Sequence, residues 1–184
     1  MRSTRGSSLG LIRIAGLLLV LAGGYYLSTG FRGVPATFTM EGRSMDPAVG
    51  RGDWFLVRPA PFDLPRGRLV LMSFRDQGEE HQVLRRLVGI AGDTLRMADG
   101  RLVVNGAQPS WPHQIIEPEA ERPLPGPIRG TIYNWGPVVV GPDSVFVLSD
   151  VRDMLGWPDS RFLGPIPRAL IGAEYLRTLW RGGQ

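Results

Sequence analysis

The sequence predicts a turn-rich, mostly β domain preceded by one apolar N-terminal helix. Three observations carry that prediction. The 184 residues include 25 glycines and 16 prolines, which disfavour long helices and supply turns. Branched and aromatic residues gather in short runs at 54–57, 68–74, 82–90 and 145–148, the length and composition of strands. Residues 14–31 carry no charge and contain the run LLLVL.

The N-terminal stretch comes first. As a helix, residues 14–31 would span roughly 27 Å, close to a ~30 Å hydrocarbon core. Arg13 and Arg32 at its ends can snorkel outward, and Tyr25 and Tyr26 suit the interface. Arg2, Arg5 and Arg13 precede the span, so residues 1–13 are expected in the cytoplasm and residues 32–184 outside. A cleavable signal peptide is the competing reading, with Ser28 and Gly30 as small residues near a cleavage point. In either case the main domain is exported, and an uncleaved anchor is the reading adopted.

Within the main domain, segments 94–97 and 102–104 flank Ala98, Asp99 and Gly100 and read as a hairpin. The proline-rich stretch 107–130 reads as a loop inside the domain. Residues 169–180 fit either a strand pair or a short helix. No internal repeat is present.

Charge narrows the function classes. The formal net charge is +4, and all 21 basic residues are arginine. Residues 1–31 hold three arginines and no acid, leaving 18 arginines against 17 acids in the rest. The excess therefore belongs to the N-terminus, and nucleic acid is not an expected partner. The absence of cysteine excludes a disulfide scaffold, a thiolate metal site and a cysteine nucleophile. The absence of lysine excludes Schiff-base chemistry and a lysine general base. No His/Asp/Glu cluster has metal-ligand spacing, so neither metal nor organic cofactor is expected.

Two kinds of segment carry chemistry. Ser44 sits in the turn GRSMDP at 42–47. Downstream, RRLVGIAGD at 85–93 is a strand entering a glycine turn, and VFVLSDVRD at 145–153 leads to DSR at 159–161. Alternating Asp and Arg in loops form ion-pair networks that can fix a backbone. In order, SMDP at 44–47, GRGDWFLVRP at 50–59, RGRLVLMSF at 66–74, RRLVGIAGD, RLVVNG at 101–106, the segment 133–153 and DSRFLGPIP at 159–167 resemble the bacterial type I signal peptidases. These are membrane-anchored serine peptidases with a Ser/Lys dyad.

The resemblance implies an antiparallel β-sheet or barrel-like signal peptidase fold against the outer face of the plasma membrane. It implies that exported preproteins are cleaved after small residues at −3 and −1, so signal peptides and the lipid bilayer are the expected partners. Ser44 matches the nucleophile, and its own N–H would form half of an oxyanion hole. Gly42 matches the second half, where relatives carry a serine hydroxyl or a glycine. Asp159 and Arg161 match the acid and arginine behind the site, and Asp150 and Arg152 the preceding pair.

The pattern breaks at one position. The family's lysine base falls at Arg85. Bringing a free guanidinium from its ordinary, far more alkaline value to ~7 would cost about 9 kcal/mol, more than desolvation normally supplies. The serine that relatives place after the Arg-Asp pair is missing as well, because residues 154–158 read MLGWP. His81 and His113 are the alternative bases. His81 lies four residues before Arg85, about 13 Å along a strand unless a bulge intervenes. Two readings follow: a signal peptidase-like endopeptidase with an altered base, or a silent relative that binds signal-peptide-like segments. A maturation peptidase with one pilin-like substrate is a variant of the first, and a self-cleaving repressor fits poorly with the membrane span.

Overall fold

The computed structural model describes Gly16 and residues 36–61, 63–111, 117–153 and 158–182. Apart from Gly16, which is helical, the expected membrane span 14–31 lies outside the described residues, as do His113 and residues 154–157. Among the described residues no helix is long and apolar enough to cross a membrane. The chain divides into two units, Met1–Val34 and Pro35–Gln184. The described strands all belong to the second.

Among the described residues ten strands follow one another: β1 (Ala36–Thr39), β2 (Trp54–Pro59), β3 (Leu69–Asp76), β4 (Glu79–Ile90), β5 (Thr94–Ala98), β6 (Arg101–Val104), β7 (Trp135–Val139), β8 (Ser144–Leu148), β9 (Ile166–Pro167) and β10 (Ile171–Trp180). Seven form a sheet in the order β1-β2-β10-β3-β4-β8-β9, and three form a second in the order β6-β5-β7. Every pairing is antiparallel. The large sheet is open in its pairing, with β1 and β9 at its ends, so the barrel-like expectation is met only as a sheet.

The strand runs read from composition lie in strands, except Arg68, which stands one residue before β3. The hairpin at 94–104 also forms, with Asp99 and Gly100 at positive φ of 49° and 69°, the geometry a two-residue turn demands. Residues 171–180 prove to be one strand paired to β2 on one side and β3 on the other. Its register shifts between Tyr175 and Arg177 and again between Thr178 and Trp180, which breaks the period-two pattern that would have marked a strand. β7 is hidden in the sequence by its internal Gly136-Pro137.

The proline-rich stretch is not an idle loop. Its Leu124 and Ile128 are buried with Ile132, Trp135 and Phe146 in one core cluster. A Cβ on Gly126 would lie 2.4 Å from the Arg161 carbonyl oxygen, so only glycine permits this backbone approach. A second cluster gathers Val70, Met72, Leu87, Val147 and Ile166. A third gathers Met40, Met45, Val49, Phe55, Val57, Leu69 and Leu84. Met45 is wholly buried and ties the segment that carries Ser44 to this third cluster.

β4 positions the site. It pairs with β3 without interruption from Asp76–Glu79 to Leu69–Arg86, while β8 pairs with it only from Arg86 onward. Glu79–Arg85 therefore keeps one edge outside the ladder. β1, at the end of the sheet, also has one unpaired edge.

Candidate active site

Ser44 sits where three elements meet. Met45 plugs the core on one side of it. The Ser44 carbonyl accepts hydrogen bonds from the Asp150 and Val151 N–H groups, at 2.9 and 3.0 Å, at the end of β8. The turn is closed by the Asp46 N–H on the Arg43 carbonyl at 3.1 Å, and Arg43 Nε donates to Asp46 Oδ2 at 3.0 Å. The backbone around the hydroxyl is thus held from both sides.

A groove of about 810 Å³ opens on Ser44. Phe38, Met40 and Gly42 come from one side, Val83 and Arg85 from β4, and Phe55 and Leu71 also line it. It contains the unpaired part of β4. Gly42 leaves open space where a Cβ would stand, with no heavy atom within 4 Å.

Arg85 is 1% exposed and contacts Ser44 directly. Its Nη1 donates to Ser44 Oγ at 3.1 Å and lies 2.6 Å from the Leu84 carbonyl. Nε donates to the Pro158 carbonyl at 3.2 Å. Nη2 is buried and has no hydrogen-bond partner among the described residues. Burial lowers the Arg85 pKa to about 10; the negative Asp159 pulls it back up, and the positive Arg161 adds to the fall. That environment supplies more of the shift than the sequence led us to expect. The Pro158 carbonyl is thus a polar partner for Arg85.

Asp159 and Arg161 are both fully buried and paired, Arg161 Nη2 donating to Asp159 Oδ2 at 2.8 Å. Asp159 also caps the single helical turn Ser160–Leu163, accepting from the Arg161 N–H at 2.9 Å. Burial pushes the Asp159 carboxyl up, but the charge and hydrogen bond of Arg161, joined by the charge of Arg85, hold it below its ordinary value. Asp150 is gripped by Arg86, which sends Nε to Oδ1 at 2.6 Å and Nη2 to Oδ2 at 2.5 Å. Arg152 donates Nε to the Ser149 carbonyl at 2.5 Å, and Arg161 Nη1 donates to the Arg152 carbonyl. Burial lowers the Arg152 pKa to about 10, against the raising effect of Asp150.

The structure therefore brings Gly42, Ser44, Arg85, Asp150, Arg152, Asp159 and Arg161 into one connected region. It adds three residues that sequence reasoning did not single out. Arg86 is the bidentate partner of Asp150. Ser149 receives a hydrogen bond from Arg161 Nη2 at 3.0 Å, and its N–H donates to Asp159 at 3.1 Å. Ser160 Oγ accepts from the Val147 N–H at 2.9 Å. All three stand inside quoted motifs, next to residues that were chosen. Asp93, in the glycine turn after β4, pairs with Arg66 and accepts from the Ile90 N–H at 2.8 Å, which makes it a turn-closing residue.

His81 lines the same groove and stacks on Phe74 at 5.3 Å between ring centroids. The β3–β4 register runs unbroken past it, so no bulge shortens the ~13 Å of strand between His81 and Arg85.

The signal peptidase, peptidase S26, family model matches residues 11–180 of this chain. The chain belongs to that family. Signal peptidase I of Bacillus caldolyticus is 30% identical over 133 residues, covering 70% of each chain. Signal peptidase I P of Bacillus subtilis subsp. natto is 25% identical over 118 residues, and the match covers 62% of this chain but 61% of that protein. A crystal structure of a signal peptidase I from Enterococcus faecalis aligns with a TM-score of 0.40 at 19% identity, covering 66% of this chain and all of that one. Family membership agrees with a mostly antiparallel β domain of this order of segments.

Proposed function

We propose that this chain is a membrane-bound serine endopeptidase of the signal peptidase I type, which removes signal peptides from exported preproteins after small residues at −3 and −1. The observation that carries the reading is the Ser44 hydroxyl on the lining of a groove, 3.1 Å from Arg85 Nη1. An extended substrate adds to the unpaired edge of Glu79–Arg85, and its scissile carbonyl lies over Ser44.

Ser44 Oγ attacks the carbonyl carbon, and the oxyanion takes the Ser44 N–H together with a donor at Gly42. The C–N bond breaks, the leaving amine takes a proton, and water then releases the acyl group from Ser44. The Ser44 proton goes to the neutral fraction of Arg85. With its pKa at about 10, that fraction is about 0.1% at pH 7, a cost of about 4 kcal/mol, smaller than for a guanidinium in water. Turnover is correspondingly slow at neutral pH and rises toward alkaline pH.

Orientation follows the N-terminal arginines: residues 1–13 cytoplasmic, 14–31 in the bilayer and 32–184 on the outer side. Trp54 and Trp180, 54% and 71% exposed and paired across β2 and β10, give the domain an apolar surface suited to lipid contact. The test is cleavage of an Ala-x-Ala preprotein by the purified full chain in detergent at pH 9. Wild type should cut and Ser44→Ala should not; equal products from both would end the proposal.

One observation favours the second reading, a silent binder of signal-peptide-like segments. At neutral pH Arg85 donates to Ser44 Oγ and so does not accept its proton. An inert wild type that still binds the preprotein would decide for that reading.

A further inference from the structure

Arg85 gives the groove a feature that a lysine base would not. Four buried arginines surround this end of the site, Arg85, Arg86, Arg152 and Arg161, with two buried aspartates, Asp150 and Asp159. Asp150 is bound by Arg86 and Asp159 by Arg161. Arg85, by contrast, directs its hydrogen bonds to Ser44 Oγ and two backbone carbonyls, and its Nη2 remains buried without a partner among the described residues. A buried guanidinium donor left unmatched is costly, and a carboxylate is the group that matches its planar fork.

Ser44 complements it. Arg85 is the donor in their contact, so the Ser44 hydroxyl keeps its own hydrogen to give. With a side-chain rotation that brings the buried Nη2 to the groove, one carboxylate oxygen would accept from Arg85 Nη2 and the other from Ser44 Oγ. Of the other ionisable residues lining the groove, Glu41 and Glu80 are exposed and His81 is half-buried, which leaves Arg85 as its fully buried charge. The unpaired edge of β4 runs up to Arg85, so an extended chain laid along it ends at this pair.

We infer that the groove is a receptor for a peptide's free C-terminal carboxylate, held by Arg85 and Ser44. The inference deepens the proposed function by naming the ligand that the same site retains: the carboxyl-terminated fragment that cleavage at Ser44 would release. It rests on that reading for the location of the peptide, not for turnover.

The experiment uses the purified full chain in detergent at pH 6.5, where Arg85 is charged. The probe is an N-terminally fluorescein-labelled nonapeptide, rich in leucine and ending in Ala-Ser-Ala, made as the free acid and as the C-terminal amide. Fluorescence anisotropy should give the acid at least about tenfold tighter binding. In Arg85→Gln the acid should fall to the affinity that the amide has for the same variant. Equal binding of acid and amide by wild type overturns the inference, with no variant needed. A preference that survives in Arg85→Gln overturns the role of Arg85, and decanoate competing as well as the acid peptide overturns the peptide as ligand. Acid preference without preprotein cleavage leaves this inference standing and removes the peptidase reading; cleavage without acid preference does the reverse.

Discussion

Replacing Arg85 by lysine should move the alkaline limb of the pH profile from about 10 to about 8. The buried site brings a guanidinium, ordinarily above 12, down to about 10, chiefly by desolvation. The same burial takes a lysine from its usual ~10.4 to about 8. The neutral fraction at pH 8 then rises from about 1% to about 50%, a gain of about fiftyfold. A base weaker by two pKa units is also intrinsically slower, by about tenfold at a Brønsted slope near 0.5. The net gain is about fivefold at pH 8, and wild type overtakes the variant above about pH 9. Lysine is one bond shorter than arginine, so Ser44 Oγ, now 3.1 Å from Nη1, must be met by a small side-chain adjustment. The assay is preprotein cleavage by wild type and Arg85→Lys from pH 6 to 11 in constant ionic strength. A wild-type rate that is flat from pH 7 to 9, an inflection near 6.5, or a variant with an unmoved limb would refute Arg85 as the proton acceptor. The inflection near 6.5 would instead implicate a histidine.

Three further outcomes follow from the geometry. Gly42→Ser has open space for its side chain and adds a hydroxyl at the oxyanion position; kcat should rise by about ten- to a hundredfold with little change in KM, and an unchanged kcat would remove Gly42 from the site. Gly126→Ala places a Cβ 2.4 Å from the Arg161 carbonyl oxygen and 2.6 Å from Phe162 Cα, which should lower stability by about 2 kcal/mol or more in a denaturant melt and reduce turnover by displacing the Asp159–Arg161 turn. Asp159 is held below the ordinary carboxylate value, so its contribution to stability is present above about pH 4 and lost as pH falls through the lower folded value. Asp159→Asn should remove that part of the acid transition and, by leaving Arg161 buried without its partner, cost about 3 to 5 kcal/mol at pH 7.

Much of this domain could be read in the chain, and the exceptions have identifiable causes. Short branched runs located β2, β3, β4 and β8, because their burial follows directly from composition. β10 was ambiguous because two register shifts destroy its alternation. β7 was missed because it contains a proline. At the site, motif order pointed to Ser44, Asp150, Arg152, Asp159 and Arg161. It did not reveal that Arg86 is the partner of Asp150, since the two are 64 residues apart.

Residue identity alone established that Arg85 stands where the resemblance places a lysine base, and that no lysine or cysteine is present to substitute. Residue identity alone fixes which chemistries are available. What Arg85 can do there was decided by the tertiary structure. The pKa and hydrogen-bonding capacity of a guanidinium depend on how much water, which charges and which acceptors surround it, and those come from β3, β8, the Ser44 turn and the Pro158–Arg161 segment. Only their assembly puts Ser44 within 3.1 Å, lowers the pKa to about 10 and leaves Nη2 without a partner among the described residues.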